Sequence, residues 1–337
     1  MSGELVTVIM STFNEVRDID HSIDSVLGQT ANVDLVVVDG GSTDGTVERL
    51  RSRAQRDSRV TVHADGVRRS LPEALNLAME LTDRPFVAKV DARTFIAADF
   101  IERALEVFDR EGDSVACVGG RPEQIGETRF GQAFARARMS PFGVGGSGYA
   151  DSRDRADVDT VQCGIYRRNS LTQVGRFDPG LQFGEDEELN WRLRQAGYRI
   201  VRDTSIRFRY VTRPTWAAAF RQYRNYGRAR VKVLQKHPEF IRAHHLVPPI
   251  ALLAGAGLSA AAPVSETARR IAGVAFSTYA IGAVVAAVIA SRDAKSRIPQ
   301  TAAAFTALHL GYGIGLLEGF YRMARALPGT TPRISSR

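Results

Sequence analysis

The chain has 337 residues, of which 44% are hydrophobic and 24% charged. That balance excludes a disordered chain, and the length suits one large domain with an appendage better than two equal domains. The formal net charge of +8 suits an anionic ligand, an anionic membrane surface or nucleic acid, and does not choose among them. Cys117 and Cys163, the two cysteines, lie far apart with no metal-ligand spacing and read as buried thiols in a reducing compartment.

The first residues run straight into a strand-like stretch, with no basic leader and no long apolar segment. No signal peptide is therefore expected, and the N-terminal domain is expected in the cytoplasm. Leu5–Met10 is a short apolar, β-branched run that ends in polar Ser11-Thr12 and then Asn14-Glu15. Helix-like Ile19–Leu27 follows, then the apolar run Leu35–Val38 and the turn Asp39-Gly-Gly-Ser-Thr-Asp44-Gly45. Thr46–Ala54 reads as a helix, Val60–His63 as a strand, Leu71–Leu81 as a helix and Phe86–Val90 as a strand. Ala98–Asp109 and Ser114–Gly119 repeat the alternation. Strands and helices at this spacing predict a mainly parallel sheet covered on both faces, with ligands bound beyond the carboxyl ends of the strands.

Residues 120–210 lose this regularity. They hold a Gly-rich stretch, Phe142–Gly148, an apolar piece around Val161–Tyr166 and a helix at Glu187–Gln195. Basic, aromatic Trp216–Val233 reads as an amphipathic helix. After His245 the composition changes abruptly. Leu246–Ala262, Ile271–Ala290 and Thr301–Leu317 are nearly free of charge. A membrane span needs about 20 apolar residues; the middle segment qualifies and the outer two are marginal, so two or three spans are expected. Arg224, Arg228, Arg230, Lys232 and Lys236 precede the first segment and favour that side as cytoplasmic, while Arg269-Arg270 and Arg292, Lys295 and Arg297 put positive charge on both sides and leave the topology open.

Three carboxylate-bearing stretches carry the chemistry. Asp39, after four apolar residues, can accept hydrogen bonds from a base or ribose, while its glycines let backbone approach a flat ring. Asp44 serves equally well as a cap for the next helix. Asp91 ends a buried strand in Val90-Asp91-Ala92-Arg93, where one carboxylate suits a Mg²⁺ ion shared with a diphosphate; a salt bridge to Arg93 is the plainer use. Glu185-Asp186-Glu187-Glu188 places four carboxylates together. Mutual repulsion raises some of their pKa values, which suits a general base. A helix N-terminus that favours negative charge explains Glu187 or Glu188.

Together these sites resemble the family 2 inverting glycosyltransferases. The matching marks are Ser11-Thr-Phe-Asn-Glu15, Val38-Asp-Gly-Gly-Ser-Thr-Asp-Gly-Thr46, Leu75-Asn76, Val90-Asp91-Ala92 and Gly184-Glu185-Asp186, in family order over residues 5–235. Ser140–Gly146, Val158–Thr160, Gly175–Asp178, Glu185–Asn190, Gln222…Tyr226-Gly227 and Leu246–Pro249 are similar to the succinoglycan-biosynthesis type of bacterial exopolysaccharide transferases.

The resemblance implies a GT-A fold over residues 1–235, an α/β architecture with a Rossmann-like nucleotide half of mixed sheet and an acceptor half. A membrane-anchoring helical region at 236–325 and a disordered tail at 326–337 are expected to follow. It implies that Phe13, Glu15 and Asp39 hold the base and ribose of a nucleotide sugar, with Asn14, Ser42, Asp44 and Asn76 close by. Asp91 would ligate Mg²⁺ or Mn²⁺ or face the diphosphate, with Arg93 beside it. Asp186 would take the proton from the acceptor hydroxyl, Glu185 being the substitute, and Gly164 and Trp191 would face the acceptor. The implied partners are a UDP-linked donor and a polyprenyl-diphosphate-linked or glycan acceptor at the cytoplasmic face of the cell membrane.

Two departures stand out. The family's metal motif supplies a second ligand two residues after the first Asp, where this chain has Arg93, a cation that cannot ligate Mg²⁺ but can neutralise phosphate. The Gln-x-x-Arg-Trp mark of processive members is absent from Gln222-Tyr-Arg-Asn-Tyr226, which implies single-sugar addition. Among other classes, a nucleotidylyltransferase would carry a Gly-rich basic loop where this chain has Ser-Thr-Phe-Asn-Glu. A scaffold that lost metal binding through Arg93 would not need the cluster at 185–188. A dehydrogenase would need G-x-G-x-x-G after the first strand. Nucleic-acid binding has the net charge in its favour but no recognisable module.

Overall fold

The computed structural model describes residues 6–144 and 154–326. The chain forms two compact units, Met1–Ile125 with Asp151–Val211, and Gly126–Ala150 with Thr212–Arg337.

The first unit starts with β1 (Val6–Thr12), α1 (Ile19–Leu27), β2 (Val33–Asp39), α2 (Thr46–Arg56), β3 (Val60–His63), α3 (Leu71–Glu80) and β4 (Phe86–Lys89). β-branched residues dominate β1 and β2, and both strands are buried almost throughout, as parallel strands with two covered faces must be. Helix α1 turns Ile19, Ile23 and Val26 inward, a spacing that keeps one face apolar. Helix α3 starts at a capping box, in which the Ser70 backbone N–H donates to Glu73 Oε2 at 2.7 Å; this satisfies an otherwise orphaned donor. The four strands are parallel in the order β3-β2-β1-β4. The chain walks outward from β1 to β3 and returns on the other side of β1, so a ligand crevice opens at the carboxyl ends of β1 and β4.

Beyond β4 come β5 (Thr94–Ile96), α4 (Phe100–Glu111), β6 (Val115–Ile125), β7 (Arg155–Asp157), β8 (Gln162–Arg167), α7 (Arg168–Val174), α8 (Glu185–Gln195) and β9 (Arg199–Val211). Strand β8 lies antiparallel between β4 and β6, and β5 and β7 pair antiparallel with β9. The nine-stranded sheet is therefore mixed, and the mainly parallel expectation holds only for its first half. Strand β6 also runs six residues past its expected end at Gly119. The glycines allow it: a Cβ at Gly119 would lie 2.7 Å from the Val161 side chain, and one at Gly120 1.8 Å from the Ile206 carbonyl oxygen. Apolar layers cover both faces, one around Ile23, Phe100 and Phe108 and the other around Leu75, Tyr166 and Leu189.

The second unit comprises α5 (Arg129–Arg138), α6 (Pro141–Val144), α9 (Trp216–Lys236), α10 (Ala243–Ala261), α11 (Glu266–Ala290) and α12 (Ile298–Ala326). Helix α9, expected inside the domain ending at 235, packs here against α12. Glycines on both helices set the approach. A Cβ on Gly315 would lie 2.0 Å from the Arg224 carbonyl oxygen, and one on Gly227 2.3 Å from that of Tyr312. Gly311 and Gly319 continue the seam at four-residue spacing, a pattern that brings helix backbones together. Arg224 and Arg228 of α9 then both reach Glu318 of α12, at 2.9 and 2.5 Å.

Two helices are long and apolar enough to cross a membrane: α10, with 19 residues and mean hydropathy 1.2, and α11, with 25 residues and mean hydropathy 2.0. Their large apolar side chains, among them Ile250, Leu253, Val274 and Ile281, are exposed. Helix α12, which holds the third apolar segment, instead buries Phe305, Leu308 and Leu316 within the unit. The expected Gly-rich stretch lies partly, and the tail almost wholly, outside the described residues.

Replacing Gly315 with Leu should destabilise the second unit by at least about 2 kcal/mol, since overpacking a tight contact costs roughly that much. Gly257→Leu should leave the melting temperature unchanged, because nothing lies within 4 Å of a Cβ there. Thermal unfolding of the purified full chain in detergent compares the two.

Candidate active site

The loops after β1 and β2 are sewn together by polar side chains. Asp39 is 1% exposed, and its carboxylate is saturated from within. Thr12 Oγ1 (3.1 Å) and Ser42 Oγ (2.5 Å) donate to Oδ1, while the Gly41 and Ser42 backbone N–H groups donate to Oδ2, both at 2.8 Å. Asn14 takes the left-handed conformation, φ +56°, which Asn tolerates better than most residues. Its N–H donates to Ser42 Oγ, and its side-chain oxygen accepts from Thr43 N–H, both at 2.8 Å. Asp44 accepts from Val16 N–H and from the Thr46 hydroxyl, at 3.2 and 2.6 Å, as α2 begins. Asn14, Asp39, Ser42 and Asp44, all expected near the nucleotide, thus form one frame that shapes the crevice.

Three groups stand on that frame. Phe13 is 41% exposed, and the Arg68 guanidinium lies over its ring, 3.5 Å from the centre, while Arg68 Nη1 donates to the Gly40 carbonyl at 2.9 Å. A flat cation over an aromatic face is a favourable pairing and makes a planar platform. Sequence reasoning missed Arg68, which sits in a basic loop far from Phe13 in sequence, with no motif to flag it. Across the crevice Arg93 Nε donates to Glu15 Oε2 at 2.6 Å. Arg93 therefore pairs with Glu15, not with its neighbour Asp91.

The chemical centre lies where β4 meets the first turn of α8. Lys89, 3% exposed, donates to Asp186 Oδ2 at 2.6 Å and to Glu185 Oε1 at 3.0 Å, and its ammonium is 3.4 Å from Asp91 Oδ1. Burial works against the Lys89 charge, but Asp186, Asp91 and Glu185 outweigh it and hold its pKa well above the ordinary lysine value. Burial is the main reason that the Asp186 pKa is pushed up to about 7; Glu185 and Asp91 add to the rise and Lys89 opposes it. Asp186 Oδ1 is shielded from solvent and has no hydrogen-bond partner. Lys89 also escaped the sequence reading, although a lysine inside the buried run Phe-Val-Ala-Lys-Val-Asp was a signal, since an ammonium there needs carboxylates around it.

The four acidic residues divide their work. Helix α8 begins at Glu185, two residues earlier than expected, so all four fall in its first turn, where the helix dipole favours them. Glu188 is held by Arg192 at 2.7 Å, and Arg192 also donates to the carbonyls of Val174 and Arg176. Glu188 is thus part of a structural clamp.

Of the remaining expected residues, Gly164 lies level with Lys89 on the neighbouring strand β8, one place beyond the Ala88–Ile165 pair. Asn76 is committed to the backbone of Phe177, donating to its carbonyl at 2.7 Å and accepting from its N–H at 3.1 Å. Gly164 is a packing glycine: a Cβ there would lie 2.7 Å from Cys117 Sγ and 3.0 Å from the Tyr166 ring. Trp191 is half-buried, five residues along α8 from Asp186 and so turned well away from its face. Cys117 and Cys163 are buried free thiols, and burial raises both pKa values above the ordinary thiol value.

Among the described residues no group of three His, Cys, Asp or Glu side chains could hold a metal ion. Asp91 still fits a shared one. Its side chain is 36% exposed, and Mg²⁺ commonly takes one or two carboxylates and completes its shell with phosphate oxygens and water. The donor set suits an ion carried by a diphosphate ligand better than a resident one.

A parallel half with ligand-shaping loops at its carboxyl ends, continued by a half of mixed pairing with an acidic helix start, is the GT-A arrangement of glycosyltransferases. Residues 7–175 match the family model described as Glycosyl transferase family 2. The chain is 31% identical over 278 residues to the succinoglycan biosynthesis protein ExoA of Rhizobium meliloti (strain 1021), covering 79% of this chain and 83% of that one. It is 32% identical over 108 residues to the UDP-Glc:alpha-D-GlcNAc-diphosphoundecaprenol beta-1,3-glucosyltransferase WfgD of Escherichia coli, covering 32% and 42% of the two chains. In fold it resembles the mannosyltransferase PcManGT from Pyrobaculum calidifontis in complex with GDP-Man and Mn²⁺, with a TM-score of 0.66 and 20% identity over 94% of this chain and 87% of that one. The chain belongs to glycosyl transferase family 2 and is a glycosyltransferase.

Replacing Asp39 with Ala would leave two backbone N–H groups and two hydroxyls without their shared acceptor. Hydrogen bonds to a charged group contribute about 1.5–3 kcal/mol each, so at least about 2 kcal/mol should be lost in chemical unfolding, with nucleotide affinity falling alongside.

Proposed function

We propose that this enzyme moves one sugar from a nucleoside-diphosphate donor, UDP-linked, to a hydroxyl of a lipid-linked or saccharide acceptor, inverting the anomeric carbon, in cell-surface or exopolysaccharide synthesis. The observation that carries the reading is Asp186, a carboxylate held by one oxygen, largely buried, with its pKa near neutrality. That is the state a general base needs. The names of the two relatives support the substrate classes, one through exopolysaccharide synthesis and the other through a UDP-sugar donor and a diphosphoundecaprenol acceptor. The GDP-Man complex of the structural neighbour makes a GDP-sugar the donor to test beside it.

In the proposed step the acceptor oxygen attacks the anomeric carbon from the face opposite the diphosphate. The new C–O bond forms as the sugar–phosphate bond breaks, the hydroxyl proton passes to Asp186, and the nucleoside diphosphate leaves with the bonding pair. The Phe13–Arg68 platform supports the base, and the frame built on Asp39 positions it. Arg93, freed from Glu15, meets diphosphate charge. Asp91 would hold Mg²⁺ or Mn²⁺, which supplies further neutralisation of the leaving diphosphate. Helices α10 and α11 anchor the chain in the cell membrane as a multi-pass protein, with the catalytic domain in the cytoplasm; basic residues of α9 next to an anionic lipid surface favour that side.

Asp186→Asn should lower transfer by at least about 100-fold, the usual scale of general base catalysis, while UDP and GDP sugars still raise the melting temperature of the variant as they do the wild type. Near-normal turnover would remove Asp186 as the base. The wild-type rate should rise with pH through about 7 and level off above it, because the carboxylate accepts a proton only once it has lost its own. A rate that falls across that interval would contradict the assignment.

A further inference from the structure

We propose that Lys89 is the positioning residue of the transfer step, fixing the orientation of the Asp186 carboxylate through a charged hydrogen bond to one of its oxygens. The inference rests on Asp186 being the base. It goes further in assigning a function to a side chain outside every motif of the chain.

The geometry is specific. Lys89 lies at the end of β4, in a sheet covered on both faces, and is 3% exposed. Its ammonium donates to Asp186 Oδ2 at 2.6 Å and to Glu185 Oε1 at 3.0 Å, and has Asp91 Oδ1 at 3.4 Å. Three carboxylates from two segments almost 100 residues apart thus converge on one cation. The Glu185 carboxylate is nearly as buried as the lysine. Asp186 Oδ1 has no hydrogen-bond partner and is shielded from solvent.

Such an arrangement is poorly suited to stability alone. Removing an ammonium and two carboxylates from water costs several kcal/mol per ion, and well-packed apolar replacements of buried ion pairs are often neutral or stabilising. The cluster instead specifies orientation. A carboxylate held through one oxygen cannot rotate both away, and an ammonium fixed by three anions has little freedom of its own. Glu185, adjacent on the same helical turn, occupies a second donor hydrogen of the ammonium and stops Lys89 from following Asp186 if that side chain shifts.

The test uses the full chain in detergent. The wild type, Lys89→Met, Lys89→Arg and the doubly neutral Lys89→Met/Glu185→Gln are assayed for UDP release from UDP-glucose and GDP release from GDP-mannose. The doubly neutral variant removes a carboxylate with the cation, so at least one Lys89 variant can fold. Donor-induced thermal shifts establish that each assayed variant still binds nucleotide sugar. Lys89→Met or its paired variant should lose about 100-fold or more in kcat, with donor KM within about 3-fold, the pattern of a group acting on the transition state only. Lys89→Arg, which restores a cation in the same place, should recover at least about a tenth of the wild-type rate.

Adding Lys89→Met to Asp186→Asn should cost less than about 3-fold more, because residues acting through one another are not additive. A purely structural lysine would lower the melting temperature, raise KM and add its full cost to the Asp186 variant. Retention of more than a third of wild-type kcat in Lys89→Met, or full additivity with Asp186→Asn, overturns the positioning role alone. A wild type that releases nucleotide from neither donor, or an Asp186→Asn enzyme as fast as wild type, overturns the base assignment and the inference with it.

Discussion

One buried ammonium group organises the catalytic half of this enzyme. The parallel strands bring the loops after β1, β2 and β4 to one edge of the sheet, but they do not by themselves bring α8 there. Helix α8 arrives some hundred residues later, and its first turn carries four negative charges that would repel one another and the carboxylate at the end of β4. Lys89 turns that repulsion into attachment, with hydrogen bonds to Glu185 and Asp186 and a close approach to Asp91. In a low-dielectric interior an unpaired charge is untenable, so the lysine and its carboxylates depend on each other. The same burial raises the pKa of Asp186, which links the fold of the site to the role proposed for that carboxylate.

On the nucleotide side the constraint is saturation of hydrogen bonds. Asp39 serves as the acceptor for two loops at once, and Asn14, Ser42 and Asp44 complete the stitching. These residues preorganise a surface, while Phe13 with Arg68 over its ring, Glu15 paired with Arg93, and the half-exposed Asp91 remain to meet a ligand. The Glu15–Arg93 pair also means that the cation standing at the position of a second metal ligand has its own counter-charge within the protein.

The second unit follows a different physical rule. Helices α9 and α12 meet through glycines whose missing side chains let carbonyl groups approach closely, and two arginines on α9 share Glu318 on α12. That seam, with α5 packed alongside, explains why α12 buries its apolar residues while α10 and α11 expose theirs. An apolar run as long as Thr301–Leu317 is ambiguous in sequence, because the interior of a helical unit and the interior of a bilayer make the same demand on composition.

The alternation of β-branched runs and amphipathic helices by itself determined the Rossmann-like first half of the fold, since a periodicity of two or of 3.6 is a local property that burial then enforces. The motifs at 11–15, 38–46, 90–92 and 184–186 carried the resemblance to the family, and the carboxylates at 39, 91 and 185–188 could be placed because strand ends and helix starts can be read from the chain. Tertiary structure alone decided how those residues share the work. It turned Asn76 into a clamp on Phe177, Gly164 into a packing glycine and Asp39 into the centre of a frame, because hydrogen-bond partners distant in sequence cannot be read from local pattern. It inserted β8 antiparallel beside β4, brought Arg68 over Phe13, and placed Lys89 among three carboxylates. A lysine in a buried strand states that a counter-charge must exist; only the folded chain specifies which carboxylates supply it.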